Sequence, residues 1–195
     1  MLVNRVRHVL GLAAVVVVPT TSTPCVALAQ GGQATHEQEF RAALVADLQV
    51  TRDKFLQLAE AFPQDKYNWR PMAGVRSVSE VLMLAAFEGY NFIPNSFGGQ
   101  RANLGTQQEA AALRTLADKP QVTEHIRKGF AHAQQQLETI DAATLGASRN
   151  LFGAQRTAPA IALFVYGDLH EHLGQLIAYA RANQIVPPWS KGSGN

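Results

Sequence analysis

Hydrophobic side chains recur at helical spacing in four separate segments of this chain. Within each segment they return every three, four or seven residues, so they lie on one face of an α-helix. No segment shows the strict alternation of apolar and polar residues that is typical of strands. The pattern therefore predicts an all-α fold, a four-helix bundle. The apolar positions are Phe40, Leu44, Leu48, Phe55, Leu58 and Phe62; Val78, Val81, Leu82, Ala85, Gly89 and Phe92; Val122, Ile126, Phe130 or Ala133, Leu137 and Ile140; and Ile161, Val165, Leu169, Leu173, Leu176 and Ala180.

Capping and breaking residues bound the first two predicted helices. Thr35 is the expected N-cap of the first helix, and Pro63 ends it. Ser77 and Glu80 form a capping-box pattern at the start of the second helix, which we expect to be ended by Pro94 and the glycine pair Gly98-Gly99. Small residues on this second helix predict a close approach by another helix.

Two long connections separate the remaining helices. Residues 101–119 form the longest, between the second and third helices, and their polar, Ala-rich composition predicts a lid or a short helix. Pro120 begins the third helix, and residues 141–154 are predicted to be a loop because they contain two glycines. Thr157 is the expected N-cap of the fourth helix, which ends at Asn183.

The first 29 residues have the composition of a secretory signal peptide. Arg5 and Arg7 precede an apolar run at 9–18, and Ala27 and Ala29 are the small residues expected before a cleavage site. The alternative, a retained membrane anchor, is disfavoured because the run is too short to span a bilayer. The predicted organisation is a signal peptide at 1–29, a flexible tail at 30–35, the bundle at 36–189 and a second flexible tail at 190–195.

Signal cleavage would change the chemistry of the chain. It would remove Cys25, the only cysteine, and so leave neither a disulfide nor a thiol nucleophile; residues 22–24 are a poor lead-in for a lipidated cysteine. It would also remove Arg5 and Arg7, which leaves fifteen basic against fifteen acidic side chains. This balance predicts no nucleic-acid partner, and export predicts a periplasmic or secreted protein without a membrane span.

Asp168 and His172 are the best candidate metal ligands by spacing. They are four residues apart on the fourth helix, so they lie one turn apart on one face, as ligands in a helical bundle do. His170 lies about 200° around the helix from His172, so the two cannot face one interior ion. Asp168 either shares an ion with His172 or accepts its ring N–H; the alternative is a structural, hydrogen-bonded histidine.

Other chemical patterns in the chain are weaker. His36, His125 and His132 lie in polar sequence and are predicted to be surface residues, although the last two share a helical face that is compatible with a weak metal site. The sequence has no Gly-x-Ser-x-Gly motif, phosphate loop or dinucleotide fingerprint. Tyr67 and Trp69, between the first two helices, are expected to cover one end of the core.

Two stretches of the chain resemble the DinB-like superfamily. The segment before helix two of this superfamily is similar to Asn68-Trp69-Arg70-Pro71 followed by Gly74-Val75-Arg76-Ser77-Val78. Its fourth helix and tail are similar to the stretch from Glu171 to Arg181, which closes with Ile185-Val186-Pro187-Pro188-Trp189. The resemblance implies a four-helix bundle, often a homodimer, with zinc or nickel held by three histidines. It also implies thiol transferase or metal-dependent hydrolase activity.

The family's ligand positions transfer only in part. The last histidine falls at His172, the ligand one turn earlier at Asp168, and the helix-two ligand at Leu84, which cannot bind a metal. Glu88 lies one turn from Leu84 and would complete a site of two carboxylates and one histidine, suited to iron, manganese or zinc. The alternative is that Glu88 is a flank residue, solvated or paired with an arginine or lysine.

The resemblance favours an exported hydrolase or thiol transferase with an altered metal site at His172, Asp168 and Glu88. The alternative is a non-catalytic binding or dimerisation module that has lost the metal, and a structural protein without a ligand is a third interpretation. The cofactor is zinc, nickel, iron, manganese or none, and the partner a small molecule or thiol. Further candidate pocket residues are His170, Arg76, Arg181 and Trp69.

Overall fold

The computed structural model describes residues 26–191, with side chains from His36 onwards. It confirms an all-α fold, and none of the helices in these residues is long and apolar enough to cross a bilayer. The predicted signal peptide falls mainly on residues 1–25, outside the described residues. The elements are α1 (Val26–Ala61), α2 (Val78–Phe87), α3 (Ile93–Ser96), α4 (Gln107–Leu113), α5 (Lys119–Thr139), α6 (Ala142–Gly146), β1 (Arg149–Leu151), β2 (Ala154–Arg156) and α7 (Ala158–Ala182), with a π-helical turn at Glu88–Phe92 and 3₁₀ turns at Gln64–Lys66 and Pro188–Ser190.

Four long helical units form the bundle: α1, α2 with its continuation into α3, α5, and α7. Both α5 and α7 pack against α1 and α2. The hydrophobic faces predicted from the sequence are confirmed, because nearly all of their side chains are buried in one core. Phe40 and Phe92 are the two that remain partly exposed. Burial of these faces, which removes apolar surface from water, is the main force that holds the helices together.

The first helix begins earlier than the sequence predicts. It starts at Val26 rather than after an N-cap at Thr35, so residues 30–35 belong to its backbone. No proline lies between Val26 and Ala61, so nothing interrupts the i→i−4 hydrogen bonds of the helix. Its end agrees with prediction, because the helix stops two residues before Pro63.

The connection between α1 and α2 covers one end of the core, as predicted. Tyr67 is fully buried, and its hydroxyl donates a hydrogen bond of 2.8 Å to the carbonyl of Ala59. Trp69 is partly buried and packs edge-on against Tyr179, with 5.4 Å between ring centroids. The connection thus ties the start of α2 to α1 and α7.

The second helix is capped as predicted, continues past Pro94 and ends at Ser96, just before the predicted glycine pair Gly98-Gly99. The hydroxyl of Ser77 accepts from the backbone N–H of Glu80, whose carboxylate accepts from the backbone N–H of Ser77. Beyond α2, the helix widens into the π-helical turn, and α3 carries Pro94 as one of its first residues. A proline in a helix leaves the carbonyl four residues earlier without its usual donor. Here that carbonyl, of Tyr90, accepts from the backbone N–H of Ala102 at 2.8 Å.

Two glycines allow the second helical unit and α5 to approach at backbone distance. A Cβ on Gly89 would lie 2.5 Å from the carbonyl carbon of Gly129, and a Cβ on Gly129 would meet the carbonyl oxygen of Ala86 well inside 3.0 Å. Real Cβ atoms essentially never show contacts this short, so both positions require glycine. The small residues of the second helix therefore serve the predicted close packing.

The region predicted to be a loop at 141–154 contains regular structure. Residues 142–146 form α6, and β1 pairs with β2 in an antiparallel hairpin. The loop prediction, and the expectation of no strands, are therefore wrong here. Phe152 and Gly153 form the two-residue turn, both with positive φ, as hairpin turns of this length require. Strands of three residues are too short for alternation to be visible in the sequence.

Candidate functional site

A cavity of about 550 Å³ lies beside the junction of α2 and its π-helical turn. The second helical unit supplies one wall and α7 the opposite one, while the hairpin turn and the segment around α4 close its sides. Leu84, Phe87 and Glu88 contribute from the second helical unit, and Asp168 and His172 from α7.

Glu88, Asp168 and His172 form one cluster at this cavity. Nε2 of His172 lies 3.1 Å from Oε1 of Glu88 and 3.9 Å from Oδ1 of Asp168. One ligand atom from each of the three lies within 4.8 Å of the others, and no other group of this kind occurs among the described residues. The predicted i, i+4 pair on α7 thus meets Glu88 across the bundle. Whether the three bind a metal remains a prediction.

Glu88 is the most constrained member of the cluster. It is only 3% exposed, and neither carboxylate oxygen has a hydrogen bond of good geometry in the described part of the chain, although His172 is within ion-pair distance. The alternative in which Glu88 is a flank residue, solvated or paired with an arginine or lysine, is therefore wrong: it is buried, and among the described residues its ion-pair partner is His172. A buried carboxylate with unfilled acceptor positions is costly, and a divalent cation would satisfy it.

The geometry is close to what a small divalent cation requires. With bonds of about 2.1 Å, tetrahedral or octahedral ligand atoms lie roughly 3–3.4 Å apart. The Glu88–His172 separation of 3.1 Å already fits. The 3.9 Å between His172 and Asp168 is longer and would have to shorten for Asp168 to bind the same ion. The donor set, two carboxylates and one imidazole, suits zinc, iron and manganese.

The environment shifts the pKa of both members of the buried pair upward. Burial raises the pKa of Glu88, although His172 opposes this. The Glu88 carboxylate beside it raises the pKa of His172, although burial opposes this. The pair therefore retains a proton to higher pH than a free histidine would, and a metal ion must displace that proton.

The stability of the metal-free protein is expected to fall as the pH rises above about 6.5, the ordinary pKa of histidine. The pKa of His172 is raised in the folded state, so above this pH the folded protein keeps a proton that the unfolded chain releases. The stabilising effect of the His172 proton is complete below that pH and is lost as the pH passes the raised pKa. The raised pKa of Glu88 acts in the same direction, and its effect begins lower, above pH 4.5. Urea unfolding across this range measures it.

Glu88→Gln serves as the reference for this pH dependence, because it removes the charge that raises the pKa of His172 at nearly constant size. The variant should lose less stability with rising pH than the parent. His125, whose pKa burial lowers, contributes with the opposite sign in both proteins and cancels in the comparison. Identical pH profiles for parent and variant would contradict the assigned pairing.

Leu84 lies at the cavity, where the resemblance places the helix-two ligand. It lines the same cavity as Glu88 and His172 and is partly exposed. The family position therefore faces the site, but it carries an apolar side chain that cannot donate to an ion. Glu88, one turn further along, supplies the only carboxylate that the described residues place on this side of the cavity.

The other predicted pocket residues are dispersed. Arg76 lines the cavity. His170 lies on another face of α7, where its Nε2 is 2.8 Å from Oδ2 of Asp47. Trp69 packs on Tyr179, and Arg181 lines a separate surface pocket beside the C-terminal tail. Of these four residues, only Arg76 therefore lies at the cavity with Glu88, Asp168 and His172.

In the part of the chain that the structure describes, the remaining histidines do not form a second cluster with carboxylates. His36 is exposed, as predicted. His125 is half-buried rather than a surface residue, and its Nδ1 shares a hydrogen bond of 3.1 Å with the hydroxyl of Tyr90. Nε2 of His132 lies 2.9 Å from the carbonyl of Gln100. His125 thus bonds to the π-helical turn, and His132 bonds to the segment that follows α3. These two contacts explain why both histidines lie on one face of α5.

Sequence reasoning missed several residues that line the cavity, among them two arginines and an aromatic residue. Arg101 and Arg114 come from the connection that was predicted to be a lid or a short helix, and Phe152 comes from the hairpin turn. This connection does contain the short helix α4, capped by Thr106 and Glu109. The available signal was that two arginines flank a polar segment next to the predicted site.

Comparison with known families agrees with the motifs and the architecture. The family model of the DinB superfamily matches residues 47–176, from within α1 to within α7. The match includes Glu88, Asp168 and His172. None of the curated proteins matches the chain. Because the family model covers about two thirds of the sequence and the helices form the expected bundle, this chain belongs to the DinB superfamily.

Proposed function

We propose that this protein is an exported metal-dependent enzyme, a hydrolase or a thiol transferase acting on a small molecule. The observation that supports it best is the buried Glu88 carboxylate, which faces His172 at 3.1 Å beside a cavity and lacks a well-formed hydrogen bond. Glu88, Asp168 and His172 would hold the ion. Signal cleavage, a periplasmic or secreted location and a homodimer belong to the same proposal.

The chemistry follows from the donor set. A divalent ion in this site, zinc, iron, manganese or nickel, supplies a Lewis acid that lowers the pKa of a bound water or thiol. Glu88 and His172 orient each other because each is the other's nearest charged partner. Asp168 is the most exposed of the three and would be the ligand most accessible to a substrate. Leu84 and Phe87 form an apolar wall that limits access of water.

A non-catalytic binding or dimerisation module is the second candidate, and Leu84 favours it. Three histidines at the family's ligand positions would provide three donors. Because Leu84 occupies the helix-two position, this chain has only two donors at those positions, Asp168 and His172. Glu88 and His172 also satisfy part of each other's charge without an ion. In this case the cavity would still bind a ligand, but nothing would activate a nucleophile.

Metal content separates the two candidates. Protein purified without a histidine tag and dialysed against zinc, manganese, iron or nickel is expected to retain about one divalent ion per chain, measured by elemental mass spectrometry. Substoichiometric content of all four metals under every condition would remove the enzyme proposal and leave the binding module. Retention of one ion justifies activity assays with ester, amide and thiol-acceptor substrates.

A further inference from the structure

The cavity is lined by more basic than acidic side chains, three arginines against the carboxylates of Glu88 and Asp168. Arg76, Arg101 and Arg114 all line it. None of the three has a carboxylate within 4.0 Å among the described residues, whereas Arg70 is paired with Glu80 at 3.2 Å. The three come from different segments: before α2, after α3 and at the end of α4. Three separate parts of the chain thus direct unpaired guanidinium groups toward one cavity.

Two of these arginines are held in place by uncharged neighbours. The guanidinium carbon of Arg114 lies 4.3 Å from the ring centroid of the buried Phe87. Nε of Arg101 donates a hydrogen bond of 3.2 Å to Oδ1 of Asn95, which also lines the cavity. Neither contact neutralises the charge, and both leave the terminal N–H groups free to donate to a ligand.

The mouth of the cavity is aromatic. Phe152, at the hairpin turn, is 71% exposed and packs on Phe92 with 5.9 Å between ring centroids. Both rings line the same cavity as the arginines. An exposed phenylalanine with a positive φ of 52° is held there by the hairpin rather than by burial. The cavity therefore offers a ligand an apolar surface next to a group of cations.

A second cavity of about 440 Å³ extends this arrangement. It shares Arg76, Leu84, Phe87 and Arg114 with the first and continues toward Thr115. Arg76 and Arg114 thus lie where the two cavities meet. A negatively charged group bound between them would leave room for a ligand to extend in either direction.

We propose that Arg76, Arg101 and Arg114 bind the anionic group of an amphipathic small molecule, whose apolar part packs on Phe92 and Phe152. The anionic group is a carboxylate or a phosphate, since both accept paired hydrogen bonds from guanidinium. The identification of this molecule as a substrate rests on the proposed function. Its binding does not, because the arginines act without a metal ion.

The test is titration calorimetry of the metal-free protein with three probes of similar size. These are 3-phenylpropionate, phenyl phosphate and the neutral 3-phenylpropanamide. At least one anion should bind about tenfold or more tightly than the amide, and its affinity should fall as salt is added. The stronger of the two anions identifies the group. Equal affinity for all three, or no binding at millimolar concentrations, overturns the proposal.

Matched variants locate the binding site. Arg114→Gln and Arg101→Gln should each lower the affinity for the preferred anion by about tenfold, whereas Arg127→Gln should leave it unchanged. Arg127 lies on α5 beside Glu124 and Glu60 and carries the same charge. Arg114→Lys, which keeps the charge but not the paired donors, should recover binding only in part. Equal losses in all three glutamine variants would overturn the proposal.

Metal content measured on the same samples distinguishes the two proposals. Anion binding without metal retention would refute the enzyme but support the arginine site. Metal retention without anion binding would refute the arginine site alone. Thermal unfolding of each variant shows whether it is folded, and Arg101→Gln provides a second measurement if Arg114→Gln loosens α4.

Discussion

Replacing His172 with alanine is expected to lower the affinity for a divalent cation by about 100-fold or more. His172 is the only nitrogen donor of the cluster, and it lies between the two carboxylates. Without it, two carboxylates remain, and one of them is partly exposed. Competition of manganese or zinc against a fluorescent chelator measures the affinity.

His170→Ala is the matched control for this experiment. It removes the same side chain from the same helix two residues away, where it pairs with Asp47 at 2.8 Å outside the cavity. Its metal affinity should equal that of the parent. Equal losses in the two variants would contradict the assignment of His172 as the ligand.

The double variant Glu88→Gln with His172→Ala controls for a loss of metal binding that is caused by unfolding. Removing His172 alone leaves the buried Glu88 without its charged partner, which is strongly destabilising unless the carboxyl is protonated. The raised pKa of Glu88 makes that protonation easier and so limits the cost. Because the double variant carries no buried charge at the pair, it should be folded and should still fail to bind the ion.

Gly129→Ala is expected to destabilise the protein by about 1–3 kcal/mol. Its new methyl group would meet the backbone of Ala86, and backbone atoms cannot move aside as a flexible side chain can. The steric cost therefore exceeds the gain of about 1 kcal/mol that alanine usually brings to a helix interior. Urea unfolding of the metal-free protein measures the change. Since the contact adjoins the turn that carries Glu88, metal affinity should fall as well.

Gly174→Ala is the control, because it makes the same substitution in the middle of α7. A Cβ at Gly174 has no neighbour within 4 Å, so only the helix propensity changes. This variant should be more stable than the parent by up to about 1 kcal/mol. If Gly129→Ala were as stable as or more stable than the parent, as expected for Gly174→Ala, the close approach of the second helical unit and α5 would be refuted.

Much of the fold was readable from local pattern. The four apolar faces, the capping box at Ser77 and Glu80, and the end of the last helix at Asn183 are confirmed. Each depends on residues within one or two turns of one another, which is the range over which a helix organises side chains. The hairpin and the continuation past Pro94 were missed, because both depend on partners distant along the chain or on strands of three residues.

The sequence likewise predicted one part of the candidate site and not the other. The i, i+4 spacing of Asp168 and His172 determined that they share a face, since this depends only on helical geometry. The burial of Glu88 opposite them, at the start of a π-helical turn, was decided by the packing of two helices roughly eighty residues apart in sequence. A carboxylate on a helix is solvated in most contexts, and only the tertiary structure shows which side chain lies across from it.

The arginines of the cavity were decided by the tertiary structure alone. Arg101 and Arg114 lie in a segment whose composition predicts a lid or a short helix without indicating which residues it contacts. Their convergence with Arg76 depends on how that segment packs beside the second helical unit. The sequence by itself therefore determined the helices, their buried faces and the two ligand candidates on α7. The structure decided the third ligand candidate and the charged wall of the cavity, because contacts between distant segments follow from packing and not from local periodicity.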